Sequence, residues 1–185
     1  MTATAATQTG TTAWKIDPAH TVAEFKVKHM MISHVKGHFT GVSGSLTLDE
    51  SDVAKSRIEA TIEAASIDTR EPQRDAHLKS ADFFEAEKYP TLTFTSTSIT
   101  RKSGDELVVL GDLTIHGVTK AVTFHVEGPS PASKDPWGNL RIGLSATTKI
   151  SRKDFGLTWN AALESGGILV GDEVTITLDV QFVKA

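Results

Sequence analysis

The chain of 185 residues contains no cysteine. Disulfides, thiolate catalysis, Cys-ligated zinc and iron–sulfur clusters are therefore excluded. No stretch approaches the 18 or more apolar residues of a membrane-spanning helix. The opening "MTATAATQTGTTAW" has neither the positive start nor the apolar run of a secretory signal. Its 19 Lys and Arg residues are scattered among 23 Asp and Glu, for a net charge of -4, so no basic stripe announces nucleic acid or an anionic membrane surface. No G-x-S-x-G nucleophile elbow occurs. The stretch "SGGILVG" (165–171) follows no βαβ unit and matches no dinucleotide or phosphate loop. The expectation is one soluble globular domain over residues 14–185, preceded by a polar tail at 1–13. It is cytoplasmic as the chain stands, and periplasmic or secreted if a signal has been removed.

What the chain does have is alternation. Residues 21–29, 37–50, 56–68, 91–100, 106–117, 121–128, 139–150 and 173–183 each set apolar against polar side chains with period two. Ala23, Phe25 and Val27 oppose Glu24, Lys26 and Lys28, and Val174, Ile176, Leu178, Val180 and Phe182 oppose Thr175, Thr177, Asp179 and Gln181. Strands with one apolar face and no helices to cover it predict a sheet closed on itself or two packed sheets. Small inward candidates, Ala23, Ala60, Ala64, Gly111, Gly143 and Ala146, favour a barrel with room inside.

Two segments break the pattern. In "TREPQRDAHLKSADFFEAEKYP" (69–90), Thr69 can cap, Glu71 and Pro72 suit a first helical turn, and the helix reaches Lys79. Ser80 starts a second short turn through Phe84. Residues 151–173 form a loop long enough to suggest a functional role. Three readings compete for these segments. His29, His34 and His38, with His20 and His116, invite a metal or haem, though their spacing fits no standard zinc pattern. Asp75 and His77, beside Arg74, offer an acid–base pair for a lipid-modifying enzyme. Met30, Met31, Ile32, Phe83, Phe84, Phe155 and Trp159 suit the walls of an apolar cavity, or an ordinary core.

The segments "IDPAHTVAEFKVKHMMISHVKGHF", "SIDTREPQRDAHLKSADFFEAEKYPTLTF", "LGDLTIHGVTKAVTF" and "SRKDFGL", in this order and spacing, resemble the YceI-like family of bacterial polyisoprenoid-binding proteins. The resemblance covers about residues 14–184, with Thr21 where members often carry Ser. It implies an all-β fold, an eight-stranded antiparallel lipocalin-like barrel with a short helical insertion (about 71–87). It also implies a homodimer with no stable membrane insertion, no catalytic residue and no cofactor. An apolar tunnel would hold a long isoprenoid such as a polyprenyl phosphate or a quinone tail, for transport or storage. On this resemblance the wall candidates are Phe25, Val27, Phe39, Ile62, Leu78, Phe83, Phe94, Leu113, Phe124, Leu144, Phe155 and Trp159. The head-group candidates are His29, Arg74, His77 and Arg152.

Overall fold

The computed structural model describes residues 10–185. The strands are β1 (Thr11–Ile16), β2 (Val22–His29), β3 (Ser33–Phe39), β4 (Val42–Asp49), β5 (Arg57–Glu63), β6 (Ile67–Asp68), β7 (Thr91–Ser103), β8 (Glu106–Ile115), β9 (Val118–Glu127), β10 (Ser133–Lys134), β11 (Leu140–Ser151) and β12 (Val170–Lys184). One helix, α1 (Pro72–Lys79), lies between β6 and β7. All neighbouring strands run antiparallel, and the pairing of β11 with β12 closes the sheet. Three barrel strands are interrupted, β1 with β2, β3 with β4, and β5 with β6, so the barrel has the eight strands that alternation predicts. None of the described helices is long and apolar enough to cross a membrane.

β1 is an addition to the expected strands. It takes in Thr11–Ala13, part of the expected polar tail; residues 1–9 lie outside the described residues. The chain leaves the sheet after Ile16 and returns at Val22, and Ile16 and Val22 stand opposite Phe182 and Asp179 of β12. Asp17 and Pro18 force that excursion. Pro18 starts a 3-10 turn capped by the Asp17 side chain, which accepts the Ala19 N–H at 3.0 Å. Both ends of the excursion are tied to one residue. The Asp17 N–H donates to the Gln181 carbonyl, and the Gln181 N–H donates to Thr21 Oγ1.

Two apolar clusters fill the barrel. Trp14, Leu46, Leu48, Ile142, Val180 and Phe182 plug the end where β1 lies. The larger cluster runs up the bore and includes Phe39, Leu92, Val109, Leu113, Phe124 and Phe155. The helix end follows different caps from those expected. Glu71, not Thr69, caps α1, accepting from the N–H groups of Gln73 and Arg74. Thr69 is buried and binds the helix sideways, its N–H and hydroxyl both donating to Asp75 Oδ1.

Outside the plugged end, Arg141 joins three segments. Its Nη1 donates to Asp17 Oδ2 at 2.6 Å and to Gln181 Oε1 at 2.8 Å, and its Nε to Asp135 Oδ2 at 2.8 Å. The Arg141 guanidinium, with help from His20, lowers the Asp17 pKa from 3.8 to about 2. Arg141 also holds Asp135 well below the ordinary carboxylate range. A depressed folded-state pKa gives stability that is present above the unfolded value and lost as pH falls through the folded one. Asp17→Asn is therefore expected to flatten the acid-denaturation curve between pH 3.8 and about 2, with little change in slope near neutrality. Equilibrium unfolding across that window checks it, and an unaltered slope would contradict the pairing.

Candidate functional site: an apolar bore with a polar mouth

Period-two alternation turns one face of every barrel strand inward. Ala23, Phe25 and Val27 of β2, Ile58, Ala60 and Ile62 of β5, Leu113 of β8, Phe124 of β9, Leu144 of β11, and Val174 to Phe182 of β12 by alternate residues all line one internal cavity. Its volume is about 350 Å³. It persists because large residues lie along the wall where glycine leaves space. The Phe25 ring rests on Gly37, its direct partner across β2 and β3, and the Phe94 ring rests on Gly111 of β8. A Cβ at either glycine would collide with the ring and drive it into the bore. Phe25 stacks on against Phe39 at 5.8 Å between ring centroids, and Phe94 meets Phe124 edge-on at 5.1 Å. Gly143 is a correction. Its neighbours Ile142 and Leu144 face in, and Gly143 faces out, where its N–H and carbonyl bond Ser130.

The end opposite the plug is covered by α1, the turn after it and the loop between β11 and β12. Phe83 is buried there, and Phe84 packs edge-on against Phe39. His77, Phe83 and Trp159 form a three-ring cluster, with His77 edge-on to Phe83 at 5.1 Å and to Trp159 at 4.8 Å. The ring is anchored by Asp82, whose Oδ2 lies 2.8 Å from His77 Nε2. Asp75 points elsewhere, to Thr69. The His77–Asp75 dyad that the enzyme reading requires is thus not assembled, because residues two apart on a helix do not share a face.

All sixteen residues named in the sequence line this cavity: the twelve wall candidates and His29, Arg74, His77 and Arg152 at the covered end. Two of those four are committed to the protein itself. Arg74 donates from Nε to Thr69 Oγ1 and from Nη2 to the Thr69 carbonyl, both at 2.8 Å. Arg152 is buried and does not await a head group. Its Nε donates to the Gly171 carbonyl, Nη1 to those of Leu157 and Trp159, and Nη2 to that of Val170. Burial pushes its pKa down, and the Asp172 charge pulls it back up. Sequence reasoning missed Val109, Ile115, Leu157 and Leu169. The first two share the inward parity of Leu113; the others sit in a loop with no periodicity to read.

The histidines do not converge. His29 faces the bore, while His34 and His38 lie on the outer face of β3, His34 opposite Lys28 and His38 opposite Glu24. Among the described residues, no three His, Asp or Glu side chains are placed to hold a metal ion.

These features define a closed, lipocalin-like antiparallel β-barrel built around an apolar internal cavity. The chain belongs to the YceI-like family, whose domain model matches residues 14–182. It is 43% identical over 146 residues to protein YceI of Escherichia coli O157:H7, covering 78% of this chain and 75% of that one. The crystal structure of BcnA from Burkholderia cenocepacia superposes with a TM-score of 0.76 at 25% identity, over 90% of this chain and 98% of that one. A polyisoprenoid binding domain from Saccharophagus degradans shares the fold at a TM-score of 0.67 and 16% identity, over 94% and 99% of the two chains.

Arg152 gives a sharp test of how the mouth is held. Arg152→Met keeps an unbranched apolar stem, removes the guanidinium and leaves buried carbonyls without donors, at a cost on the order of 3 kcal/mol. A lower Tm with faster amide exchange at 157–171 is the expected outcome. Exchange unchanged in that loop would show that other contacts hold it.

Proposed function

We propose that the protein binds a long isoprenoid chain inside the barrel and performs no chemistry on it. The shape of the cavity carries this reading. Its lining runs along β12 from Val170 to Phe182, roughly 40 Å of strand at about 3.3 Å per residue, or about 30 Å along the barrel axis at the usual strand tilt. A volume of about 350 Å³ drawn out over that length makes a narrow bore, which suits a flexible chain better than a compact ring system. His29 and His77 line the covered end, where a phosphate or quinone head on an apolar tail would find donors. The Saccharophagus degradans likeness is one of fold, and it supports the reading to the extent that the same scaffold carries a polyisoprenoid there.

The energetics have the right scale. At roughly 0.8 kcal/mol per buried CH2, a chain of about twenty carbons gains on the order of 10–15 kcal/mol gross. Ordering and association remove several kcal/mol. The remainder supports micromolar or tighter retention with no covalent step.

Ala60 lies on β5 between Gly44 and Phe94, facing the bore. Ala60→Trp should fill it and weaken binding of a fluorescent geranylgeranyl probe at least tenfold. Ala146→Leu, on β11, makes the same test with a smaller intrusion. Undiminished binding by either variant, in protein that still unfolds cooperatively, would overturn the reading.

A further inference from the structure

The tip of the β2–β3 hairpin combines three features that folding does not require. First, it is apolar and exposed: Met31 is 58% exposed and Ile32 79%. Met30 and Ile168 extend the patch. The pieces are contiguous, since the Met30 N–H donates to the Leu169 carbonyl at 2.7 Å and the Met31 thioether rests on Gly167. Second, Met30 and Met31 occupy φ values of 52° and 61°. Turns of that conformation favour Asn or Gly, and a long side chain there is a strained choice that points to a role other than stability. Third, the outer face behind the tip is cationic. Lys26 stands directly opposite Lys36, and Lys28 opposite His34. Like charges so placed repel.

Among the described residues none of these three lysines makes an ion pair. The nearby acids of β12 are engaged elsewhere, Asp172 with Arg152 and Lys153, and Glu173 with Lys149. Glu164 on the neighbouring loop is exposed, as is Glu173 of β12, and Glu24 shares the outer face of β2 with Lys26, opposite His38. Lys26, Lys28, His34 and Lys36 lie within eleven residues of a chain with net charge -4, and the hairpin register sets them side by side. The patch is also continuous with the cavity mouth, because His29 and Leu169, which flank it, line the bore.

We propose that this hairpin is a membrane-docking tip, which seats the mouth of the bore on an anionic bilayer. Met31 and Ile32 would enter the boundary between head groups and acyl chains, and Lys26 and Lys36 would meet the lipid charge. The proposal deepens the lipid-binding reading by giving the cargo a route between membrane and bore, although docking itself needs no cargo.

The test is flotation of the full chain with vesicles of phosphatidylcholine alone and of equimolar phosphatidylcholine and phosphatidylglycerol. Binding to the anionic vesicles only, weakening as salt is raised, is expected. Met31→Ser with Ile32→Ser should reduce it at least tenfold, and Lys26→Glu with Lys36→Glu should abolish its salt dependence. Neither pair lines the bore, so both variants should still take up the geranylgeranyl probe from solution. No binding to either vesicle, or equal binding by the Met31→Ser, Ile32→Ser variant, would overturn the proposal. So would a sedimentation shift showing that this variant dissolves a dimer, since the patch would then be a self-association face. Vesicle binding by a protein that takes up no prenyl probe would support docking and overturn the cargo reading alone.

Discussion

Eleven opposed residue pairs between β11 and β12, from Arg141 with Val183 to Ser151 with Glu173, close the sheet on itself. Every other feature depends on that closure. An open sheet with these sequences would leave eight apolar faces in water, whereas a closed one turns them all onto a common axis. Eight strands set the bore at a width that side chains can either fill or leave vacant. Here the outcome changes along the axis. Trp14, Leu46 and Phe182 fill one end, and Ala23, Ala60 and Ala146, with the Phe25 and Phe94 rings seated against Gly37 and Gly111, leave the rest open.

The covered end is held by polar contacts, because a loop has no ladder of its own to satisfy its backbone. Arg152 supplies donors to four carbonyls, those of Leu157 and Trp159 in the β11–β12 connection and of Val170 and Gly171 where β12 begins, and so ties the loop to the barrel beside the buried Phe155 and Leu157. On the other side of the mouth, Thr69, Asp75 and Arg74 fasten α1 to β6. Between them stand His77, Phe83 and Trp159, rings in contact with one another and with the bore. The mouth is thus lined by three rings in mutual contact, flanked by segments that hydrogen bonds hold to the scaffold.

Much of this was legible in the sequence. Period-two alternation is a direct record of which face a strand buries, so the eight barrel strands and the inward parity of residues such as Phe25, Ile62 and Phe124 could be read from it. The exceptions have physical causes. β1 escaped notice because Asp17 and Pro18 break its strand, and the six residues before them hold too few apolar positions to show a period. Gly143 was assigned inward on size alone, although its neighbours Ile142 and Leu144 already fixed its parity. Arg152 could not be told from an arginine waiting at a mouth, since its partners are backbone carbonyls that carry no sequence signature. The carboxylate beside His77 is Asp82 from the following turn, a tertiary choice that spacing along one helix cannot foresee. The juxtaposed lysines of β2 and β3 are likewise a product of register, invisible until the strands are paired.

The measurement that bears most directly on this account is native mass spectrometry of protein purified without detergent, followed by organic extraction and identification of what is released. An isoprenoid chain filling the bore predicts a discrete added mass that leaves on extraction and is recovered as a prenyl or quinone species. A bare chain that also fails to gain mass when offered geranylgeranyl or longer prenyl lipids would contradict it.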